Sequence, residues 1–307
     1  MSLVLSTSWN AFRHDNGESL LEELTALGFK KFELSFNLTA SIVQEIEAQV
    51  KARKAQVTSL HNYCPIPENL TRKQALPDCY SLASIDESQR QTALKYTKRT
   101  IDTAHEIGAQ AIVLHCGRIE IPDRTINLIR MYEQGLAGSR EFDEEKRGMA
   151  LEREKYQPMF FENMLRSLDE INQHAKTRNI KIGVETRYYY REIPTLDETG
   201  IILDKFKGSN LYYWHDTGHA QLMENLGFHK HKDFLDKYSD RMLGIHLHDI
   251  IGCKDHKAPG TGELDFSFIT PYLRKETIKV IEAHAPATAE DLINGVKLLE
   301  KTFDGKI

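Results

Sequence analysis

Eight short apolar runs alternate with segments of helical periodicity along the whole chain, and this alternation restricts the fold more than any other property of the sequence. The runs are residues 3–6, 31–34, 56–60, 111–114, 181–184, 211–214, 242–245 and 277–281. Near-continuous apolar strands are covered on both faces, as in a parallel sheet wrapped by helices. Helical periodicity is predicted near 19–27, 39–53, 86–107, a stretch ending near 177, 196–206, 231–238, 266–273 and 289–302, with Gly28 and Gly108 as C-terminal stops and Thr288 as an N-cap. Eight βα units are the number that closes a barrel. The expectation is an α/β protein, a single-domain (β/α)8 TIM barrel over residues 1–307. Long loops follow strands 3 and 4, the second a charged insertion from Gly117 to about Arg153. A doubly wound open sheet is the alternative, but no GxGxxG or GxxxxGK[ST] phosphate loop supports it.

Polar residues recur where the runs stop: Leu60-His61, Leu114-His115, Val184-Glu185, Trp214-His215-Asp216, Ile245-His246 and Ile281-Glu282. In a barrel of this kind the carboxyl ends of the strands form the mouth that carries the active site. Glu185, Asp216, His246 and Glu282 end strands 5 to 8, so three carboxylates and one imidazole converge. Like charges at close range disfavour ionisation, and a divalent cation resolves the conflict. A mostly oxygen set with one nitrogen suits Mn²⁺ or Zn²⁺, with Mg²⁺ or Co²⁺ also compatible. His61, His115, His219 and His256 surround this core, either as ligands of additional metals or as histidines that bond substrate and orient ligands. His215 and His248 alternate with Asp216 and His246, so a strand period of two turns them away from the axis. His14, His105, His174, His229, His231 and His284 read as surface or structural residues.

The balance of 40 basic against 45 acidic residues leaves a formal charge of −5. Nucleic-acid binders usually carry a basic face, so this disfavours one, although a local basic groove is compatible with it. Four scattered cysteines without a CxxC pair fit reduced cytosolic thiols, and three of them (Cys64, Cys116, Cys253) lie within a few residues of the polar strand ends. No apolar stretch approaches the ~18 residues of a membrane span, and the N-terminus has no basic region typical of a secretion signal. A cytoplasmic enzyme is expected, with a homo-oligomer left open.

The ordered series Glu185, Asp216-x-x-His219, His246 and Glu282 resembles the xylose isomerase-like TIM-barrel superfamily, as does the segment from Asp255-His256 through Pro259-Gly260-Thr261-Gly262 to Asp265. The likeness runs over essentially the whole chain and is most specific from Tyr213 to Asp265. In the isomerase and epimerase branch it implies one Mn²⁺-type ion held by Glu185, Asp216, His246 and Glu282. There the two glutamates act as base and acid on a sugar, sugar phosphate or sugar acid, by proton transfer through a metal-stabilised enediolate. Residues matching His219 contact substrate in that branch. In the branch of abasic-site endonucleases of the endonuclease IV type, the resemblance implies three zinc ions that also use His61, His115, His219 and His256. That pattern needs an aspartate two residues before His256, where this chain has Lys254. A lysine cannot be an anionic ligand, but its ammonium could meet a substrate phosphate or carboxylate. Trp9, Asn10, Arg118, Arg187, Tyr188, Tyr189, Tyr190 and Arg191 stand around the mouth as substrate contacts, Arg187 as an anion-binding fork, and the tyrosines alternatively as loop packing. The expected activity is a metal-dependent sugar isomerase or epimerase with a small carbohydrate substrate. The alternative is a metal-dependent phosphodiester hydrolase, and a barrel that binds ligand without turnover ranks below both.

Overall fold

The computed structural model describes residues 2–303. Strands β1 (Leu3–Ser6), β2 (Lys31–Leu34), β3 (Gln56–His61), β4 (Ala111–Leu114), β5 (Lys181–Glu185), β6 (Leu211–Asp216) and β7 (Met242–Leu247) are followed by a hairpin of β8 (Asp249–Ile251) and β9 (Lys254–Lys257), and then by β10 (Ile278–Ile281). All but the hairpin join in the closed order β1-β10-β7-β6-β5-β4-β3-β2, with every pair parallel. The expected TIM barrel is present.

Helices α1 (Gly17–Ala26), α2 (Ala40–Lys51), α3 (Glu87–Ile107), α4 (Thr125–Glu133), α5 (Arg140–Arg178), α6 (Leu196–Lys205), α7 (Thr217–Asn225), α8 (His231–Tyr238) and α9 (Ala289–Phe303) surround it. Their ends follow local chemistry. Asp86 caps α3 by accepting from Ser88 and Gln89 N–H, and Gly108 closes it in the left-handed region. Thr195 and Glu198 form a capping box on α6. No helix among the described residues is long and apolar enough to cross a membrane.

The barrel interior is filled by Val4, Ala111, Val113, Trp214, Leu243, Ile278 and Val280. Trp214 is the plug, and only a glycine at 244 admits it, because a Cβ there would lie 2.3 Å from the indole Cζ3. The indole lies against the His246 ring, 5.2 Å between centroids. The His246 imidazole therefore rests on a packed floor rather than on a pore.

One local expectation is corrected. The charged insertion is mostly helix: α4 fills part of it, and α5 starts at Arg140 and continues unbroken for 39 residues. Ser139 caps α5, Arg140 and Glu144 pair one turn apart, and buried Phe142, Met149, Arg153 and Phe160 recur at near-heptad spacing. High charge there marks the solvated face of a helix. After β6, Asp216 caps α7 directly. The stretch after β7 opens with the β8–β9 hairpin.

Arg153 ties α5 to the mouth. Its guanidinium is bidentate to Glu198 at 2.8 Å for each oxygen, and it also donates to the Tyr190 and Glu192 carbonyls at 2.7 and 2.9 Å. The pair is buried, and a bidentate geometry of this kind offsets the cost of desolvation.

Candidate metal centre

Glu185 and Asp216 are the last residues of β5 and β6, His246 lies in β7, and Glu282 follows β10. All four are buried. Three carboxylate oxygens gather on one nitrogen: His246 Nδ1 lies 2.7 Å from Glu185 Oε1, 2.9 Å from Glu282 Oε2 and 3.5 Å from Asp216 Oδ2. One ring nitrogen carries at most one hydrogen and so can satisfy only one of the three. The ligand atoms of the four residues lie within 4.8 Å of one another. Burial acts against charge on every group, yet the mutual attraction prevails. Glu282, Glu33 and Glu185 hold the imidazole of His246 well above the usual histidine range. His246 and His115 hold Glu185 well below the usual carboxylate range, and His219 and His248 do the same for Asp216. The residues present fit a divalent cation with an oxygen-rich shell.

The far nitrogen of His246 is also committed. Nε2 lies 3.0 Å from Glu33 Oε1, and the other Glu33 oxygen accepts from the Ser59 hydroxyl at 2.7 Å. Nδ1 is therefore the nitrogen left for an ion.

His61 and His115 end β3 and follow β4, and they meet the free edge of Glu185. Their Nε2 atoms lie 3.4 and 2.7 Å from Glu185 Oε2. Their Nδ1–H groups donate outward, His61 to the Asn62 carbonyl and His115 to Asp78, each at 3.0 Å. Pinning one ring nitrogen so that the other faces inward is the usual support of a metal-ligating histidine. These two histidines with Glu185 also fit a cation, with Glu185 placed to bridge.

Beyond Asp216 lies a histidine column. His219 is in the first turn of α7. Its Nδ1–H donates to the Thr186 carbonyl at 2.9 Å, and its Nε2 is 3.5 Å from Asp255. Burial opposes charge on His219, but Asp216 and Asp255 push it up to about 10. His256 Nδ1 is 3.0 Å from Asp255, and its ring is sandwiched between His248 (4.2 Å, 6° between planes) and His284 (3.9 Å, 10°). Nitrogens of His219, His248 and His256 come within 4.8 Å of one another. Parallel stacked rings, however, hold their lone pairs in parallel planes and cannot share an ion in that pose.

Other predicted positions separate. His215 does face away from the axis, bonded to Tyr213 and His231. His248 does not: the barrel strand stops at Leu247, the period of two lapses at the turn into the hairpin, and Nε2 reaches Asp216. His284 is likewise no bystander. Lys254 is not brought to the centre. Adjacent strand residues point to opposite sides, so Asp255 turns in while Lys254 is exposed, 3.7 Å from Glu133. Arg187 is buried among Asp78, Glu192 and Glu185 at 3.1, 3.1 and 3.5 Å, which occupies its fork. Asn10 bonds Leu20 and Glu23, and Arg191 pairs with Asp123. Arg118 is 3.4 Å from the Asp78 carbonyl. Tyr188 donates to the Cys253 carbonyl, its ring against Tyr189, and Tyr190 stacks on Phe228. Burial pushes the Cys116 and Cys253 thiols up to about 12, away from a thiolate ligand. Trp9 donates its indole N–H to the Ala287 carbonyl and, with Phe12, Phe36, Asn37 and His284, lines a cleft beside the centre. Glu33, Asp78 and His248 are the functional-looking residues that the sequence did not single out.

A family model described as xylose isomerase-like TIM barrel matches residues 21–302. The uncharacterized protein y4fM of Sinorhizobium fredii is 27% identical over 216 residues, or 70% of this chain, and the chain spans 57% of that relative's length. Among solved structures, a D-tagatose 3-epimerase-like protein superposes with a TM-score of 0.70 at 18% identity, covering 99% of this chain and 97% of the other. The 3-keto-D-glucoside 4-epimerase of E. coli gives 0.68 at 18%, covering 98% and 99%. D-Psicose 3-epimerase of Clostridium cellulolyticum gives 0.66 at 12%, covering 99% of each. At these identities the likeness is one of fold.

Proposed function

The chain belongs to the xylose isomerase-like TIM-barrel family, and from that premise we propose that it is a divalent-metal-dependent isomerase or epimerase of a sugar, sugar phosphate or sugar acid. The observation that carries this reading is the gathering of the Glu185, Asp216 and Glu282 oxygens around His246 Nδ1. Mn²⁺ or Zn²⁺ suits the set best, and Mg²⁺ or Co²⁺ is compatible. A divalent ion held there would supply Lewis acidity to a substrate carbonyl and lower the barrier to removing a proton from the neighbouring carbon.

The chain's own residues then do the following. Glu185 and Glu282 approach from strands on either side of β6 and β7, so they flank whatever lies between them. Both carboxyls are held ionised below their usual range, so either can accept a proton from carbon. One takes that proton; the other, after taking one up from water, gives it to the opposite face of the same carbon, and release of the first proton to water restores both carboxylates. Asp216 binds without exchanging protons, since its oxygens are engaged by His248 and by the His219 N–H. The aromatic cleft at Trp9 and Phe36 offers apolar faces to the rest of a sugar. Solved relatives in fold that are named as sugar epimerases support the same reading.

A second reading, phosphodiester hydrolysis, is favoured by one observation, the outward-pinned pair His61 and His115 on Glu185. Two ions bridged by Glu185 would suit generation of a hydroxide nucleophile. The test is incubation of Mn²⁺- or Co²⁺-loaded protein with ketohexoses and keto-glucosides in deuterated water, followed by proton NMR. Deuterium should enter at the carbon beside the carbonyl. Cleavage of a phosphodiester with no exchange in any sugar would replace the first reading with the second.

A further inference from the structure

We infer that His248 is a positioning residue that holds the Asp216 carboxylate in the orientation in which it would meet a cation. The inference rests on the metal-centre reading above and concerns how that centre is held.

The argument starts with the tautomer. His248 is fully buried, and its Nδ1 accepts from the backbone N–H of His256 at 2.9 Å. A ring nitrogen that accepts carries no hydrogen, so the hydrogen of the neutral ring sits on Nε2. Nε2 lies 2.9 Å from both oxygens of Asp216 and donates to that carboxylate. Asp216 Oδ1 already accepts the His219 N–H at 2.7 Å as the cap of α7. The His219 N–H thus engages Oδ1 alone and the His248 N–H is shared across both oxygens, while Oδ2, which takes no backbone donor, faces His246 Nδ1 and the glutamates.

The ring is held rigidly enough to act this way. Thr217 Oγ1 donates to the His248 carbonyl at 2.7 Å and accepts its N–H at 3.1 Å, locking the exit of β7 to the start of α7. The ring lies so close to α7 that a Cβ on Gly218 would fall 2.2 Å from its Cε1. His256 covers the ring at 4.2 Å in a parallel stack.

A competing role, in which His248 merely anchors the hairpin through the His256 N–H, makes a different prediction about amide substitutions. In His248→Gln the side-chain amide nitrogen falls near the position of Nε2 and keeps the donor to Asp216. In His248→Asn the side-chain oxygen falls near Nδ1, keeps the hairpin contact and cannot reach Asp216. The experiment measures Co²⁺ dissociation constants of the full chain by competition titration, with the visible Co²⁺ spectrum and the thermal midpoint of metal-free protein recorded for each variant. His248→Ala and His248→Asn should bind Co²⁺ about 10- to 100-fold more weakly, as loss of an orienting partner does, with His248→Gln within about threefold of the parent. Rescue by Asn rather than Gln, or unchanged affinity in the Ala variant, overturns the inference. If the parent protein binds no Co²⁺, the metal-centre reading itself fails, an outcome separate from any difference among variants.

Discussion

Glu33 sits on the opposite side of the His246 ring from the three converging carboxylates, its Oε1 3.0 Å from Nε2. A carboxylate on the far nitrogen fixes ring orientation and raises the basicity of the near one. Glu33→Ala should therefore weaken metal binding about 10- to 100-fold, with Glu33→Gln intermediate because its amide oxygen still accepts. A Mn²⁺ or Co²⁺ competition titration checks this; parental affinity in both variants would show that Glu33 does not support the ligand.

Glu282→Gln should abolish detectable turnover, a fall of about 10²- to 10⁴-fold or more for a lost acid/base group, while the barrel still folds. Circular dichroism and the metal-free thermal midpoint report folding, and the deuterium-exchange assay reports chemistry. Full activity in this variant would refute the acid/base role.

Metal content separates the two readings of the site. The epimerase reading expects one ion per chain, with His61→Ala and His115→Ala leaving that number unchanged. Two ions in the parent and one in either variant would favour the hydrolase. Chelation should also lower stability, by about 2.7 kcal/mol when free metal had stood at a hundredfold excess over its dissociation constant. Thermal unfolding with and without EDTA measures it, followed by restoration with added metal.

His231 gives a pH prediction outside the metal shell. Burial, then the adjacent His215, holds it well below the usual histidine range. The unfolded chain thus takes up a proton near pH 6.5 that the folded chain refuses. The stability contributed by this neutral, depressed histidine is complete above pH 6.5 and is lost as pH falls. Between pH 7 and pH 5 the loss is at most about 2 kcal/mol, the limit for a ring that stays neutral throughout. His231→Phe should be less stable at pH 7, because Gln221 and His215 lose a partner, yet lose less on acidification. Denaturant unfolding at both pH values decides it, and equal losses would show that His231 is not the titrating group.

The barrel and its four central residues were legible for one reason: Glu185, Asp216, His246 and Glu282 interrupt apolar runs at the ends of strands, where burial makes any polar side chain conspicuous. Glu33 escaped notice because it lies inside β2, followed by Leu34, with no change of pattern at the strand end. Its inward aim accompanies a shift of register against β3 at Phe32/Glu33, which no single sequence displays. Asp78 stands in a long loop without periodicity, so only tertiary packing brings it to His115 and Arg187. His248 was misplaced by extending a strand rule one residue past the last strand residue. Lys254 shows the reverse: it stands out in the sequence as a departure from a ligand pattern, yet it is exposed beside Glu133 and its neighbour Asp255 holds the inward position.

The bond from Arg153 to Glu198 and to the carbonyls of Tyr190 and Glu192 changes what kind of unit the long helix α5 is. Glu192 also pairs with Arg187 through its carboxylate, and Arg187 lies against Glu185, so a buried line of polar contacts, passing through the Glu192 backbone, connects α5 to the strand-end carboxylate. Freeing that half of α5 would leave Glu198 short of compensation in the interior, a cost comparable to breaking a buried ion pair, about 3–5 kcal/mol. Backbone amides in the first half of α5 and in residues 187–198 should therefore exchange with solvent as one cooperative opening unit. A segment that looks like an appendage is energetically part of the wall of the site.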